Sequence, residues 1–251
     1  MCGMHNREAT AALERDLREI FGQRLRSLIA YSVHMSQGFD APSDTEHHGS
    51  HTRERLTHTM AVVDAITPDD LRACAGRAAR WHAKRTATPL IFATRELERS
   101  LDVFPFELGG ILANHVVLYG PDPFDGLRVD PADLRRGCEI QARSHLLHLR
   151  EGFIETEGNG DALAMLVVQS APPFAALLTN VARLQGLSSD DPEAAGRHVE
   201  RLLSLTSGTM TDVVKLAEAT EISSAEANRI FRAYLEAVER LVTFVDQWKS
   251  A

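Results

Sequence analysis

Four short stretches rich in aliphatic, β-branched and aromatic residues, 25–31, 56–63, 89–93 and 115–119, all lie in the first half of the chain, and none lies beyond Asp130. That one-sidedness constrains the fold more than any single motif. Strands must pair with strands, so one sheet has to be assembled before the middle of the chain. The second half has only helices with which to bury its apolar residues. A chain of 251 residues has room for two cores of ordinary size. The expected class is α+β: an N-terminal α/β domain with a mixed sheet over 1–125, then an all-α helical bundle over 126–251.

Local signals place the elements. Leu13, Leu17, Ile20 and Phe21 recur at helical spacing, so 6–21 reads as an amphipathic helix that Gly22 ends. The apolar run 25–31 has no helical period and reads as a buried strand. Residues 34–53 are polar and rich in Gly, Ser, Pro, Asp and His, a long loop. Thr67-Pro68-Asp69-Asp70 supplies a cap, a proline for the first turn and acidic charge against the helix dipole. A helix to about residue 84 should come next, with Leu71, Cys74, Ala75, Ala78 and Trp81 on one face, and another turn or two of helix over 94–101. Asp130-Pro131-Ala132-Asp133 repeats the start signal before a helix marked by Leu134, Cys138, Ala142, Leu146, Leu149 and Phe153. The next helix, 161–184, contains Pro172-Pro173, which should kink or interrupt it. Shorter helices are expected over 191–205 and 209–219. Ser223 and Glu226 then form a capping-box pair for a last helix carrying Ile230, Tyr234, Val238, Leu241 and Val245.

Composition excludes several roles. The longest uninterrupted apolar run, 162–168, is far short of the roughly 20 residues of a membrane span. The first residues lack a basic segment leading into an apolar one, so no secretory leader is expected. Three widely spaced cysteines, Cys2, Cys74 and Cys138, suit a reducing cytoplasm better than a disulfide framework. A formal charge of −8 disfavours nucleic acid as a partner.

Several motifs occur in a telling order: Phe21-Gly22, a strand ending in a small-residue turn, a variable loop, and a second strand ending Val62-Val63-Asp64. Phe104-Pro105-Phe106-Glu107, Val116-Val117-Leu118-Tyr119-Gly120, the stretch from Glu139 to Arg150, and Phe231 to Leu235 with Val245-Asp246 accompany them. Together they resemble the nucleotidyltransferase domain of the DNA polymerase β superfamily, and in particular bacterial two-domain proteins in which such a domain precedes a helical bundle. The resemblance implies a Gly-Ser or Gly-Gly turn after the first strand, where backbone amides approach a triphosphate. It also implies two carboxylates at i and i+2 on the second strand, which jointly hold Mg²⁺. This chain departs from both requirements. Tyr31-Ser32-Val33 replaces the turn, and Leu56 and His58 stand at the acidic positions.

The resemblance therefore implies a transferase scaffold whose metal chemistry has been lost. Such a scaffold would keep a cleft between the domains for a nucleotide or other small ligand, or serve a protein partner. The positions it assigns to that cleft are Ser32, His34, Ser36, Thr57, His58 and Thr59, and it is compatible with a homodimer through the bundle. The alternative is a working nucleotidyltransferase that modifies a small molecule or a protein hydroxyl with acids from the loop, for which Asp40, Asp44, Glu46 and Glu54 are the nearest.

Other residues carry a sharp and a plain reading. His47, His48 and His51 could hold a transition metal with His34, His58, Asp44 or Glu46 beside them, or simply belong to a solvated loop. Arg143 and His148 make an Arg-x4-His pattern similar to helical ribonuclease domains that accompany nucleotidyltransferases. Helix positions i and i+5 share a face poorly, so a surface arginine and a partly buried histidine explain them more simply. Glu107 could be a remnant acid near the cleft, or more simply a carboxylate on a surface turn.

Overall fold

The computed structural model describes residues 3–31, 56–187 and 191–248. They form two compact units, Met1–Val129 and Asp130–Ala251.

In the first unit, α1 (Gly3–Phe21) passes through a 3-10 turn (Gly22–Arg24) into β1 (Leu25–Tyr31). Then come β2 (His58–Val63), α2 (Pro68–His82), β3 (Leu90–Ala93), α3 (Thr94–Ser100), α4 (Pro105–Ala113) and β4 (His115–Tyr119). The four-stranded sheet has the order β3-β2-β1-β4. β1 runs antiparallel to β2 and β4, while β2 and β3 are parallel, so the sheet is mixed as expected. Successive residues of a strand face opposite ways, and the core divides accordingly. Leu28, Ala61 and Val63 pack with Leu13, Leu17 and Phe21 of α1 and with Cys74 and Trp81 of α2. Ile29, Met60 and Val62 pack on the other face with Leu97, Leu108 and Ile111 from α3 and α4.

Polar contacts fix the layers. Asp16 of α1 is buried, and its carboxylate accepts from the Trp81 indole N–H at 2.8 Å and pairs with Arg77 and Arg80 of α2. At the end of β4, Gly120 has φ +75° and lies so close to β1 that a Cβ would stand 2.0 Å from the Arg26 carbonyl oxygen. Only glycine lets the chain turn there. Leu71, expected on the buried face of α2, is 51% exposed, because α1 meets that helix along Cys74, Ala78 and Trp81.

α4 lies where sequence reading places only a turn. From Pro105 to Ile111 every residue is buried. A helix covered all round has no apolar stripe, and Gly109-Gly110 further weakens its propensity, so neither periodicity nor composition reveals it.

The second unit holds α5 (Pro131–Glu155), α6 (Gly160–Leu184), α7 (Pro192–Leu202), α8 (Thr211–Lys215) with a 3-10 turn (Leu216–Glu218), and α9 (Ser224–Gln247). Asp130, Asn159, Asp191 and Ser223 each accept a backbone N–H in the first turn of the helix they precede. α6 is the central element and packs against α5, α7, α8 and α9. It is long and apolar enough for a membrane span, with a mean hydropathy of 1.6 over its most apolar window, but here it is the core helix of a bundle. Pro172 and Pro173 do not interrupt it: the helix runs from Gly160 to Leu184 with both prolines inside. Ala171, Phe174 and Ala175 are buried around them, so packing holds the helix through a position where its own hydrogen bonds fail. Glu200 of α7 is 3% exposed and accepts from the backbone N–H of Met210 and Thr211 at 2.7 and 2.8 Å and from the Thr211 hydroxyl at 2.9 Å, closing the start of α8.

Candidate functional site

The C-terminal end of β1 meets the N-terminal end of β2. Tyr31 is directly opposite His58, and their rings lie 5.9 Å apart, tilted by 50°. Ahead of His58, Thr57 makes a parallel bridge to Thr86, donating its N–H to the Arg85 carbonyl at 2.8 Å and accepting from Ala87 N–H at 3.0 Å. Both backbone groups of Thr57 are therefore tied to the 85–87 segment before β2 enters the core.

Alternation along β2 separates the sequence-assigned positions. His58 shares the parity of Met60 and Val62 and faces the α3–α4 side, where Tyr31 also packs. Thr59 shares the parity of Ala61 and Val63 and faces the α1–α2 side. It is 1% exposed, and its hydroxyl has no hydrogen-bond partner among the described residues. Thr57, with the parity of Thr59, is half-buried. Of these three, only His58 stands on the same face as Tyr31. Ser32, His34 and Ser36, and the histidines His47, His48 and His51, lie outside the described residues. Among the described residues, no three of His, Cys, Asp and Glu come together as a metal-holding group.

The acids nearest β2 serve the scaffold at the strand's other end, about 20 Å away at a rise of roughly 3.3 Å per residue. Asp64 accepts from Arg26 Nε at 2.6 Å, and this guanidinium holds its carboxyl below the usual range. Asp70 is gripped by both terminal nitrogens of Arg24 at 2.7 Å and by the Thr67 cap. The Arg24 guanidinium, then the Thr67 hydrogen bonds, hold Asp70 well below the ordinary carboxylate range despite desolvation. These pairs tie the start of β1 to the β2–α2 turn.

No protein-family model and no curated protein sequence matches the chain. A solved structure does: spectinomycin adenyltransferase AAD(9) from Enterococcus faecialis with ATP and spectinomycin is similar over 93% of this chain and 98% of that one, with a TM-score of 0.52 and 10% identity. The fold is a nucleotidyltransferase fold followed by a helical bundle.

The resemblance read in the sequence directs attention to the meeting of the β1 and β2 ends, where the residue types limit the chemistry available. Leu56 stands two residues ahead of β2 and His58 begins it, and residues 56–63 include no carboxylate. A leucine has no ligating atom, and imidazole prefers softer divalent ions to Mg²⁺. Tyr31 and His58 offer an aromatic and a polar surface instead.

Glu107 corrects its sequence assignment. It is not on a surface turn but in the first turn of α4, 9% exposed, on the helix layer that covers the Tyr31–His58 face. Burial pushes its carboxyl above the ordinary value, opposed by a hydrogen bond from its own backbone. A signal for it exists: Phe104-Pro105-Phe106-Glu107 is a proline at the first helical position with an acid two residues on. In the second unit, Arg143 donates to Asp246 at 2.5 Å and to Glu139 at 3.4 Å, while His148, with its side chain 75% exposed, pairs with Glu151 at 3.3 Å. The two residues of the Arg-x4-His pattern thus have separate acidic partners, and His148 is exposed, not partly buried.

Proposed function

We propose that this protein is a nucleotidyltransferase-fold module that no longer carries out Mg²⁺-dependent nucleotidyl transfer and instead binds a ligand or a protein partner through the β1–β2 end of its sheet. One observation supports this above the others: β2 and the two residues before it, 56–63, contain no carboxylate, with Leu56 and His58 at the positions where the resemblance implies acids, and the flanking Asp64 is spent on Arg26 at the far end. Two-metal phosphoryl transfer depends on shared carboxylates to neutralise charge on the attacking and leaving oxygens, and a scaffold without them forfeits most of the rate. Binding can survive such a loss, because a base or sugar is held by stacking and hydrogen bonds and not by the catalytic metals, and the paired Tyr31 and His58 rings give this end of the sheet an aromatic surface. The described cysteines, Cys74 and Cys138, are buried and unpaired, which supports a cytoplasmic setting.

Calorimetric titration with ATP, GTP, CTP and UTP, each with and without Mg²⁺, tests the proposal. ATP comes first because the similar enterococcal structure carries it. Binding of a nucleotide that is indifferent to Mg²⁺, with no pyrophosphate released on incubation, is the expected result. Mg²⁺-dependent binding together with pyrophosphate release would overturn it and establish an active transferase that draws its acids from elsewhere in the chain. Absence of any nucleotide binding would assign the module to protein partners.

A further inference from the structure

Within the helical bundle, a groove of about 270 Å³ opens between α5 and α6. Its floor is apolar, formed by Leu149, Leu166, Pro173 and Leu177. Its polar lining comes from Gln141, Ser144, His145 and His148 of α5 and Gln169 and Ser170 of α6; no Lys, Arg, Asp or Glu lines it, and His148 is paired with Glu151 at 3.3 Å.

The proton positions at His145 follow from counting donors. His145 Nε2 lies 2.6 Å from the Tyr234 hydroxyl, which lies 3.2 Å from Ser170 Oγ, which donates to the Val167 carbonyl at 2.9 Å. Each hydroxyl has one proton. With the Ser170 proton on Val167, Tyr234 must donate to Ser170, and all three contacts are satisfied only if His145 Nε2 carries the hydrogen. Nδ1 then holds a lone pair, and it has no partner among the described residues. Phe174 stacks on the imidazole at 5.3 Å and fixes its plane. Burial first, and the neighbouring His148 second, push His145 down to about 4, so the ring is neutral at physiological pH.

Further polar groups are unspent beside it. The side chains of Gln141, Ser144 and Gln169 make no hydrogen bond among the described residues. Pro173 has no N–H, so the carbonyl of Gln169 loses its helical donor. A surface groove with one such group would be unremarkable, but here a fixed acceptor, a helix carbonyl deprived of its donor, two amides and a hydroxyl surround an apolar floor.

We infer that the α5–α6 groove is a binding site for a small uncharged ligand that donates a hydrogen bond to His145 Nδ1 and lays an apolar flank on Leu149, Leu166 and Leu177. With no Lys, Arg, Asp or Glu in the lining and His148 already paired with Glu151, the groove offers little to offset the desolvation of a charged ligand. The groove belongs wholly to the second unit and does not depend on whether the β1–β2 end binds a nucleotide.

Phenol is a suitable probe, since it has one donor and one apolar flank, and anisole is the same ring without the donor. The full-length protein, labelled with ¹⁵N at histidine, is titrated with each. The expected outcome has three parts: free His145 shows the Nε2–H tautomer; phenol saturates with a Kd on the order of 1 mM, as suits seven non-hydrogen atoms, and moves the Nδ1 signal upfield; anisole binds at least about tenfold more weakly, for want of one hydrogen bond. Ser144→Ile, which fills the groove without touching the His145–Tyr234–Ser170 chain, should abolish the phenol response while leaving the tautomer unchanged. An Nδ1–H tautomer, equal responses to phenol and anisole, no saturable phenol response, or an unaltered response in Ser144→Ile would each overturn the assignment.

Discussion

Replacing His145 by glutamine should destabilise the protein near pH 8 and become almost neutral, or reverse, near pH 5. In the folded bundle most of the imidazole is packed against Phe174 of α6 and Tyr234 of α9, with His148 of its own helix acting on it electrostatically. Its affinity for a proton falls from an ordinary 6.5 to about 4, first through burial. The unfolded chain takes up a proton below about pH 6.5, whereas the folded one does not until about pH 4. Stability contributed by the neutral ring is therefore fully present above 6.5 and is lost as pH falls through the interval between the two values. At about 1.4 kcal/mol per pH unit the whole interval is worth ~3 kcal/mol, of which ~2 kcal/mol is already gone at pH 5. Glutamine sacrifices the Tyr234 hydrogen bond and the ring stack, about 1–2 kcal/mol, at every pH. Urea unfolding of the two proteins at several pH values, followed by far-ultraviolet circular dichroism, gives the difference directly, because every other titrating group is common to both. A difference that stays constant from pH 8 to pH 5 would refute the reasoning, since it would mean that the buried ring takes up its proton as readily as an exposed one.

Three further outcomes are expected from buried polar groups. Thr59→Val keeps the shape of β2 but removes a buried hydroxyl that has no partner among the described residues, and should raise stability by about 1 kcal/mol in chemical unfolding. Glu200→Ala leaves the N–H groups of Met210 and Thr211 without an acceptor inside the bundle, and should cost on the order of 3 kcal/mol, with faster amide exchange across residues 208–215 as its local signature. Glu107 has a raised proton affinity in the folded state, so the folded chain binds more protons than the unfolded one and stability falls as pH rises above about 4.5. Glu107→Gln should therefore melt higher than the parent at neutral pH, with the gap closing below pH 4.5; a gap that persisted in acid would exclude desolvation of the carboxylate as its cause.

Much of the architecture is legible in the sequence because its signals are local. β1 begins and β4 ends where Gly22 and Gly120 and their neighbouring turns place them, and the starts of α2, α5 and α7 carry the same Asp or Thr cap followed by proline. Composition extends β2 two residues too far, since Leu56 and Thr57 have the character of a strand but only an isolated bridge to Thr86 to pair with. The bundle's long helices are legible through their stripes; α4 is not, because burial on all sides erases the stripe. At the candidate site, the absence of any carboxylate from 56 to 63 is plain from the sequence. The division of Thr57, His58 and Thr59 between two faces can be deduced from alternation, but which face each meets cannot.

By itself, the sequence determined that a sheet occupies the first half, that helices alone occupy the second, and that residues 56–63 carry no carboxylate. Those statements need only turn chemistry, periodicity and residue identity, which act within a few positions. Tertiary structure alone decided that β4 closes on β1 to give the order β3-β2-β1-β4, that Glu107 is buried, and that Asp64 and Asp70 are spent on Arg26 and Arg24. It also brought His145 to Tyr234 across 89 residues of chain. Each of these is a contact between segments far apart in sequence, fixed by which apolar faces bury one another, and no short window of residues contains that information.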